Sequence, residues 1–298
     1  MPAQFSRVAI VGTGLIGGSF ALAARSALAG ARIVGWDKPT VLDRALAHGV
    51  VDEAQPQIQN ALAGADLIYI ALPVGMAIER LQEVARHASK GALITDASST
   101  KRAICAAAEK YVLDGVRFLG GHPMAGSESS GIDSADAALF RGAKYALVGS
   151  STQDVSTANI ERTEKEDSRV ANFLRLVEAI GARPIWIDAA THDRAAAIVS
   201  HLPQMIAVAL AGLAHEATDQ TGLPLTLAGR GLRDALRLAG SPYSVWRDIV
   251  LTNTDNLDSA LDHLSQAIEH LRANLRQREL EEEFAVANEV YKILRNLQ

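Results

Sequence analysis

The segment Gly12-Thr-Gly14-Leu-Ile-Gly17 constrains the fold more than any other stretch of this chain. It follows a β-rich run, Arg7-Val-Ala-Ile-Val11, and residues 19–28 after it have helical spacing. A GxGxxG motif between a strand and a helix is typical of dinucleotide-binding units. There the first glycine permits a tight turn, the second lets a pyrophosphate approach the backbone, and the third lets the helix pack closely on the strand. The pyrophosphate then lies at the positive end of the helix dipole.

A second predicted strand, Arg32 to Trp36, ends at Asp37. An acidic residue about 20 residues beyond the glycines accepts hydrogen bonds from the ribose hydroxyls, and its charge repels the 2′-phosphate of NADP. We therefore expect NAD rather than NADP, although Lys38 weakens this preference slightly. A glycine-rich turn followed by a solvated aspartate is the alternative, and it is less consistent with motif, context and acidic residue together. The predicted cofactor-binding residues are Gly12, Thr13, Gly14, Leu15, Ile16, Gly17, Asp37, Leu72, Pro73 and Ser98.

Short apolar strands alternate with helical segments as far as Ile187. Beyond the first two, strands are predicted at 66–72, 92–96, 116–119, 140–149 and 183–187, and helices at 41–48, 77–88, 101–111 and 169–180. This alternation predicts a doubly wound parallel sheet of the Rossmann type over residues 1–188. Residues 189–298 show no strand pattern, so we expect an all-helical substrate and dimerisation domain there. The polar stretch at 150–167 is predicted to be a solvated loop or insertion.

Composition excludes several classes of protein. Of 298 residues, 48% are hydrophobic and 21% charged, as in globular proteins, and the net charge of −5 argues against a general nucleic-acid binder. A single cysteine, Cys105, permits no internal disulfide, and no Cys/His cluster indicates a metal site. The first residues lack the build of a signal peptide, and no uninterrupted apolar run reaches the roughly 18 residues of a membrane span. We therefore expect a soluble cytoplasmic protein.

A second glycine-rich stretch follows the strand that ends at Leu119. Two glycines and a proline flank His122, and this pattern predicts a tight turn with the histidine at a strand end. An isolated histidine is more often bonded locally, but a neighbouring nicotinamide favours a catalytic role. Hydride transfer from a carbon that bears oxygen needs a group to take the hydroxyl proton, and neutral imidazole suits that purpose. Ser99 could hydrogen-bond a substrate or orient His122, whereas Ser98 and Thr100 are equally consistent with helix capping.

Five segments in order resemble the prephenate/arogenate dehydrogenase family of tyrosine biosynthesis. They are Gly12-Thr-Gly-Leu-Ile-Gly-Gly-Ser19, Asp96-Ala-Ser-Ser-Thr-Lys101, Gly121-His-Pro-Met-Ala-Gly-Ser-Glu128, Ser200-His-Leu-Pro203 and Trp246-Arg-Asp248. The resemblance implies NAD(P)-dependent oxidation of a cyclohexadienol coupled to decarboxylation. The products would be 4-hydroxyphenylpyruvate from prephenate, tyrosine from arogenate, or both.

The resemblance also implies roles for individual residues. The catalytic histidine of the family falls on His122, and the serine that contacts both it and the substrate falls on Ser99. Ser127 and Glu128 lie on the substrate side, with Glu128 as the acidic residue of the active-site gate. In the helical domain, Arg237 precedes Trp246 by nine residues, as the family's carboxylate-binding arginine does, and Trp246 lines the pocket. Prephenate-preferring members usually carry a histidine where this chain has Gln204, which favours arogenate or a relaxed preference.

The C-terminal region contains a heptad stripe. Its members are spaced four, three, four, three and four residues apart: Leu257, Leu261, Leu264, Ile268, Leu271 and Leu275. One long helix of this kind could pack internally, but the stripe favours a long partner, so we expect an intertwined homodimer. The charged cluster Glu279 to Glu283 is interpreted as a solvated face.

Two other functions remain open at this point. A β-hydroxyacid dehydrogenase has a similar build but would be expected to carry a catalytic lysine in the first long helix of the second domain, and Thr191 to His215 contains none. A non-catalytic NAD-sensing regulator would not need His122, Ser99 and Arg237 to converge on one pocket.

Overall fold

The chain folds into an eight-stranded sheet with helices on both faces, followed by a helical region. The computed structural model describes residues 3–112, 115–126, 129–149, 167–218, 222–276 and 280–296. Strand order is β3-β2-β1-β4-β5-β6-β7-β8. The strands are β1 (Arg7–Val11), β2 (Arg32–Trp36), β3 (Glu53–Ala54), β4 (Leu67–Ile70), β5 (Leu93–Asp96), β6 (Arg117–Pro123), β7 (Lys144–Val148) and β8 (Arg183–Trp186).

Among the described residues, six α-helices belong to the sheet domain: α1 (Leu15–Ala27), α2 (Pro39–Ala47), α3 (Ile58–Leu62), α4 (Val74–His87), α5 (Arg102–Tyr111) and α6 (Ser168–Ala179). Alternate residues of β1 enter two separate apolar cores. Val8 and Ile10 pack in the core that contains Phe20 of α1. Ala9 and Val11 pack in the core that contains Leu81 of α4. Helices therefore cover both faces of the sheet, and the predicted doubly wound fold is confirmed.

The sheet differs from the sequence prediction at one edge. The first six strands run parallel, but β7 pairs antiparallel with β6, and β8 runs parallel to β7. The prediction of a tight turn around His122 is wrong. Strand β6 continues through Pro123, and His122 lies opposite Ala146 of β7. Gly121 is needed here for close approach, since a Cβ on it would lie 2.5 Å from the carbonyl oxygen of Asp96.

From Ala189 onward the described residues form helices and no strand. These helices are α7 (Ala189–Ala196), α8 (Leu202–Glu216), α9 (Leu223–Thr226), α10 (Arg230–Leu236), α11 (Tyr243–Thr252), α12 (Thr254–Asn274) and α13 (Glu281–Asn296). A 3₁₀ turn, Arg237–Gly240, follows α10. The C-terminal region therefore contains two helices after α11 where the sequence indicated one. Glu281 to Glu283 form the first turn of α13, where acidic side chains favour the helix dipole.

Helices α7 and α8 form one continuous helical segment. A π-helical turn, Ala197–His201, joins them, and Leu202 N–H donates to the carbonyl oxygen of Ala197. The helix thus widens just before Pro203, which has no N–H to donate. By length and composition the segment Ala189–Glu216 could cross a membrane. Four of its polar side chains are instead buried within this fold: His192, Asp193, His201 and Gln204.

Candidate active site

The glycine motif forms a turn between β1 and α1 that only glycine can adopt. Gly12 has a φ of +97°, and a Cβ on Gly17 would lie 1.9 Å from the Gly12 carbonyl oxygen. At Gly14, by contrast, a Cβ would meet no described atom within 4 Å. Helix α1 begins after Gly14 without a side-chain cap, so its first N–H groups remain available to an anion. This turn has the features that a dinucleotide pyrophosphate requires.

The Asp37 carboxylate lies beside this turn at the end of β2. Its Oδ2 accepts the Thr13 N–H at 2.7 Å, and its Oδ1 accepts the Lys38 N–H at 2.7 Å. The loop after β4 approaches the same turn, because a Cβ on Gly12 would lie 2.9 Å from a methyl carbon of Leu72. Pro73 then precedes the first residue of α4. The structure therefore brings together Gly12, Thr13, Asp37 and Leu72 from the predicted cofactor set, with Leu15 and Ile16 opening α1.

A buried ion pair joins the ends of β5 and β6. The Lys101 ammonium is fully buried, donates to the Asp96 carboxylate, and donates to the Gly121 carbonyl oxygen at 2.6 Å. Asp96 Oδ1 in turn accepts the Gly121 N–H at 3.0 Å. Lys101 therefore neither contacts solvent nor is free to reach a cofactor. Its effect is to hold the backbone immediately before His122.

The serines after β5 differ in their surroundings. Ser98 N–H donates to Asp96 Oδ2 at 2.9 Å, and the buried Ser98 hydroxyl has no hydrogen-bond partner among the described residues. Ser99 is half-buried in the bend that follows. Thr100 does not cap α5, since its hydroxyl lies 2.8 Å from that of Thr252 in the helical domain. This segment therefore leaves one buried hydroxyl, that of Ser98, available at the edge of the sheet.

His122 is hydrogen-bonded to His192, which is hydrogen-bonded in turn to Asp193, and the sequence alone identified neither residue. Its Nδ1 lies 2.9 Å from Nε2 of His192, and Nδ1 of His192 lies 2.8 Å from Oδ1 of Asp193. The Asp193 carboxylate also accepts the N–H groups of Lys101 at 2.7 Å and of Arg102 at 2.9 Å. These contacts join the helical domain to the start of α5. The only sequence signal for them is the polar pair that interrupts the first turn of an otherwise apolar helix.

Burial controls the charge of this group of side chains. Desolvation lowers the pKa of His122 well below its ordinary value of 6.5, and Coulombic repulsion by the Lys101 ammonium, and by His192 or His201 when either is protonated, acts in the same direction. Burial alone would raise the pKa of Asp193. Hydrogen bonds from His192 and from the Arg102 and Lys101 N–H groups outweigh that effect and lower it. At neutral pH the site therefore combines a neutral His122 imidazole with an ionised Asp193 carboxylate.

The helical domain contributes a second group, at the π turn. His201 is buried and packs edge-to-face against Trp246, with 5.8 Å between ring centroids. Burial lowers the pKa of His201 to about 4, and its Nδ1 lies 3.1 Å from the side-chain nitrogen of Asn253. Gln204 is also buried, and its Oε1 has no hydrogen-bond partner in the described part of the chain. A buried amide oxygen without a partner is costly, and a bound ligand could satisfy it.

Three further residues were predicted to bind the substrate: Arg237, Ser127 and Glu128. Arg237 opens the exposed 3₁₀ turn after α10, and this turn packs against α8, which also carries Gln204. The turn that Arg237 opens therefore lies beside the helix that carries Gln204. Ser127 and Glu128 lie outside the described residues.

A second link between the two parts of the chain lies at the start of α4. Asp248 of α11 accepts a hydrogen bond from the Gly75 N–H, and this bond, together with the larger effect of the Arg247 guanidinium, lowers the pKa of the carboxyl. Two carboxylates of the helical domain, Asp193 and Asp248, therefore cap two helices of the sheet domain. The crevice between them and the sheet edge is built from both domains.

Such a fold and site define the class of dinucleotide-dependent dehydrogenases that have a separate helical domain. Within that class, the family model described as "Prephenate dehydrogenase, nucleotide-binding domain" matches residues 20–185. The model described as "Prephenate dehydrogenase, dimerization domain" matches residues 188–289. The chain belongs to the prephenate dehydrogenase family of oxidoreductases.

Individual relatives agree with this assignment. The prephenate dehydrogenase of Bacillus subtilis (strain 168) is 31% identical over 279 residues, which is 93% of this chain and 72% of that protein. The cyclohexadienyl dehydrogenase of Zymomonas mobilis is 31% identical over 270 residues, which is 90% of this chain and 88% of that protein. The crystal structure of prephenate dehydrogenase from A. aeolicus with hydroxyphenyl propionate and NAD+ superimposes with a TM-score of 0.81 at 28% identity, covering 98% of each chain. The family resemblance is thereby confirmed, and neither alternative function is favoured over it.

Proposed function

We propose that this chain uses NAD to oxidise prephenate, arogenate or both, with loss of CO₂ and formation of an aromatic ring. The observation that carries the proposal is the neutral His122 imidazole at the end of β6. It lies on the same edge of the sheet as the glycine turn of α1 and faces the helical domain through His192. A base in this position can serve a substrate held between the two domains.

His122 takes the proton of the ring hydroxyl. Desolvation keeps its imidazole neutral, and a neutral imidazole has the lone pair that this step requires. When bound, NAD supplies the acceptor for the hydride that leaves the hydroxyl-bearing carbon. Ser99, in the bend after β5, orients the substrate hydroxyl against the imidazole. Aromatisation drives the release of CO₂, so the chain needs no further acid or base for that step.

The helical domain holds the substrate side chain. Arg237 binds a carboxylate, because a guanidinium forms paired hydrogen bonds with carboxylate oxygens. Trp246 lines the pocket beside His201, and Ser127 and Glu128 close it on the substrate side. Gln204 offers a buried Oε1 that has no partner among the described residues. That oxygen accepts hydrogen bonds from the ammonium group of arogenate, whereas the ketone of prephenate offers it no donor, so acceptance of arogenate is expected.

The cofactor preference follows from Asp37. Its carboxylate is fixed by the Thr13 and Lys38 N–H groups at the end of β2, and it disfavours the 2′-phosphate of NADP by charge. NAD is therefore the expected cofactor, with Leu72, Pro73 and Ser98 completing its site beside the glycine turn.

We also propose a cytoplasmic homodimer, with the domain boundary at Asp188, whose side chain caps α7 by accepting the Thr191 N–H. The heptad stripe changes along α12 from buried Leu257 to exposed Ile268 and Leu275. Large apolar side chains of α13 are exposed as well, among them Phe284, Val290, Tyr291 and Leu294. Continuous exposed apolar surface of this kind is typical of an interface, and a second copy of the chain covers it. Sedimentation velocity on wild type and Ile268→Glu distinguishes dimer from monomer.

The test of the activity is an absorbance assay for NADH or NADPH formation. Prephenate, arogenate and a simple 3-hydroxy acid are each offered with NAD and with NADP. We expect turnover of one or both cyclohexadienols with NAD and none of the 3-hydroxy acid. His122→Asn should reduce kcat roughly 10²–10⁴-fold with little change in KM, since a positioned general base contributes about that much. Exposed His263→Asn is the matched control. Turnover of the 3-hydroxy acid alone, or full activity in His122→Asn, contradicts the proposal.

A further inference from the structure

We propose that His192 and Asp193 form a hydrogen-bonded relay that positions His122 and fixes which of its ring nitrogens is basic. This inference rests on the proposed role of His122 as the base. It concerns two residues that do not reach the reacting atoms and act through the imidazole of His122.

The relay begins at Asp193, which is fully buried. Its Oδ1 lies 2.7 Å from the Lys101 backbone nitrogen and 2.8 Å from His192 Nδ1, and its Oδ2 lies 2.9 Å from the Arg102 backbone nitrogen. The carbonyl oxygen of Asp193 accepts the Asn253 side-chain amide at 2.8 Å, so both its backbone and its side chain are held. An ionised carboxylate only accepts hydrogen bonds. His192 Nδ1 must therefore carry a hydrogen and donate it to Asp193.

The hydrogen on Nδ1 determines the state of the other nitrogen of His192. A neutral imidazole has one N–H group and one lone pair, so Nε2 of His192 carries the lone pair. The atom 2.9 Å away is Nδ1 of His122, which must then be the donor. Nε2 of His122 is left with the lone pair and is the basic nitrogen of the site. The Asp193 carboxylate thus fixes the tautomer of His122, although the two residues are connected only through His192.

The relay also compensates the charge that develops during the reaction. The O–H bond of the substrate breaks, a new N–H bond forms at Nε2 of His122, and the ring becomes an imidazolium. Its Nδ1–H then donates a stronger, charge-assisted hydrogen bond to His192, whose far side faces the Asp193 carboxylate. The proton leaves Nε2 to solvent after the product departs.

The neighbouring cationic side chains are paired mainly with other carboxylates, so the negative charge of Asp193 acts chiefly on the imidazole of His192. The Lys101 ammonium is paired with Asp96, and the terminal nitrogens of Arg102 hydrogen-bond Asp255. Among the described side chains other than His192, the Arg102 Nε approaches the Asp193 carboxylate, at 3.4 Å. The Arg102–Asp255 ion pair thus keeps the rest of the guanidinium away from the Asp193 carboxylate.

The experiment compares His192→Gln with His192→Leu. Glutamine places its amide oxygen near the position of imidazole Nε2 and still accepts from His122, whereas leucine fills the space without an acceptor. We expect kcat to fall roughly 10²-fold in His192→Leu and less than about tenfold in His192→Gln, with KM changed less than about threefold in both. His263→Leu, on the exposed surface of α12, is the matched control and should retain wild-type kcat. Circular dichroism and thermal unfolding verify that each variant is folded.

A second measurement does not depend on turnover. Nitrogen-15 chemical shifts of the histidine rings should show His122 protonated at Nδ1 and not at Nε2 in the wild-type enzyme, and a mixture of tautomers in His192→Leu. A wild-type His122 protonated at Nε2, or equal kcat in the two His192 variants, overturns the relay. Full activity in His122→Asn would instead refute the base itself, so the two failures are distinguishable.

Discussion

The Asp248 carboxylate lies directly against Gly75, so that a Cβ on Gly75 would be 2.5 Å from Asp248 Oδ2. The two residues come from different domains, α11 and the first turn of α4. Their contact joins the helical domain to the sheet domain next to the Leu72–Pro73 loop. A side chain at position 75 would push the two domains apart at the edge of the predicted cofactor site.

Replacing Gly75 by alanine should therefore destabilise the protein. Overpacking of a tight contact costs about 1–3 kcal/mol, and the hydrogen bond from Gly75 N–H to Asp248 would lengthen. Urea unfolding followed by circular dichroism measures the change in the free energy of unfolding. Gly231→Ala in α10 is the control, since a Cβ there meets no described atom within 4 Å. Equal stability of the two variants would show that the domains tolerate separation at Gly75.

Two glycines of the cofactor turn should respond differently to the same substitution. Gly17→Ala would place a Cβ 1.9 Å from the Gly12 carbonyl oxygen, so we expect a marked loss of stability. Gly14→Ala meets no described atom, and the variant should fold normally while its KM for NAD rises roughly tenfold or more, because the Cβ occupies the approach to the backbone. Thermal unfolding and NAD titration separate the two effects. Normal NAD affinity in Gly14→Ala would place the pyrophosphate elsewhere.

Arg237→Ala should raise KM for the substrate far more than it lowers kcat. A charge-assisted hydrogen bond contributes about 1.5–3 kcal/mol, which corresponds to roughly tenfold or more in KM when the arginine only anchors a carboxylate. Steady-state kinetics with saturating NAD measures both parameters. Arg233→Ala, on the exposed surface of α10, should leave them unchanged. A loss confined to kcat would contradict the anchoring role.

The pH dependence of kcat/KM should lack a histidine limb near neutrality. The base works as the neutral imidazole, and burial lowers the pKa of His122 well below 6.5, so activity is lost only as pH falls well under that value. Profiles between about pH 5 and 8 test this. The fraction of folded protein must be measured over the same pH range. His201 is held neutral with a pKa of about 4, so its contribution to stability is present above pH 6.5 and is lost as pH falls towards 4. A limb centred at 6.5 in folded protein would indicate an exposed base.

Local patterns in the sequence identified most of the sheet domain. The glycine spacing, the acidic residue after β2 and the apolar strands each depend on residues close in the chain, and these predictions agree with the structure. The short β3 and α3 were missed, because two and five residues contain too little periodicity to recognise. The sequence also did not predict the directions of β7 and β8, since a short apolar run has the same pattern whether it pairs parallel or antiparallel.

In the candidate site, too, local sequence patterns identified some residues, whereas contacts between distant residues were found only in the structure. His122 was identified from its position after a strand, but His192 lies 70 residues further along the chain, and only the folded structure shows that their rings meet. The burial of Lys101 is not evident from the sequence either, because one of its partners, Gly121, lies 20 residues further along the chain. Helix α13 was not recognised because Glu281 to Glu283 suggested a solvated face, although acidic residues also favour a helix start.

The N–H groups at the start of α5 donate hydrogen bonds to Asp193, and the Gly75 N–H at the start of α4 donates one to Asp248. These bonds have a consequence for exchange between homologues. Each half of this chain supplies groups that complete the other half, so the halves cannot be inherited independently. A chimaera that joins this nucleotide-binding half to a foreign helical half without the two aspartates would leave two helix starts uncapped. Recombination at the boundary near Asp188 should therefore be tolerated only between parents that share both carboxylates.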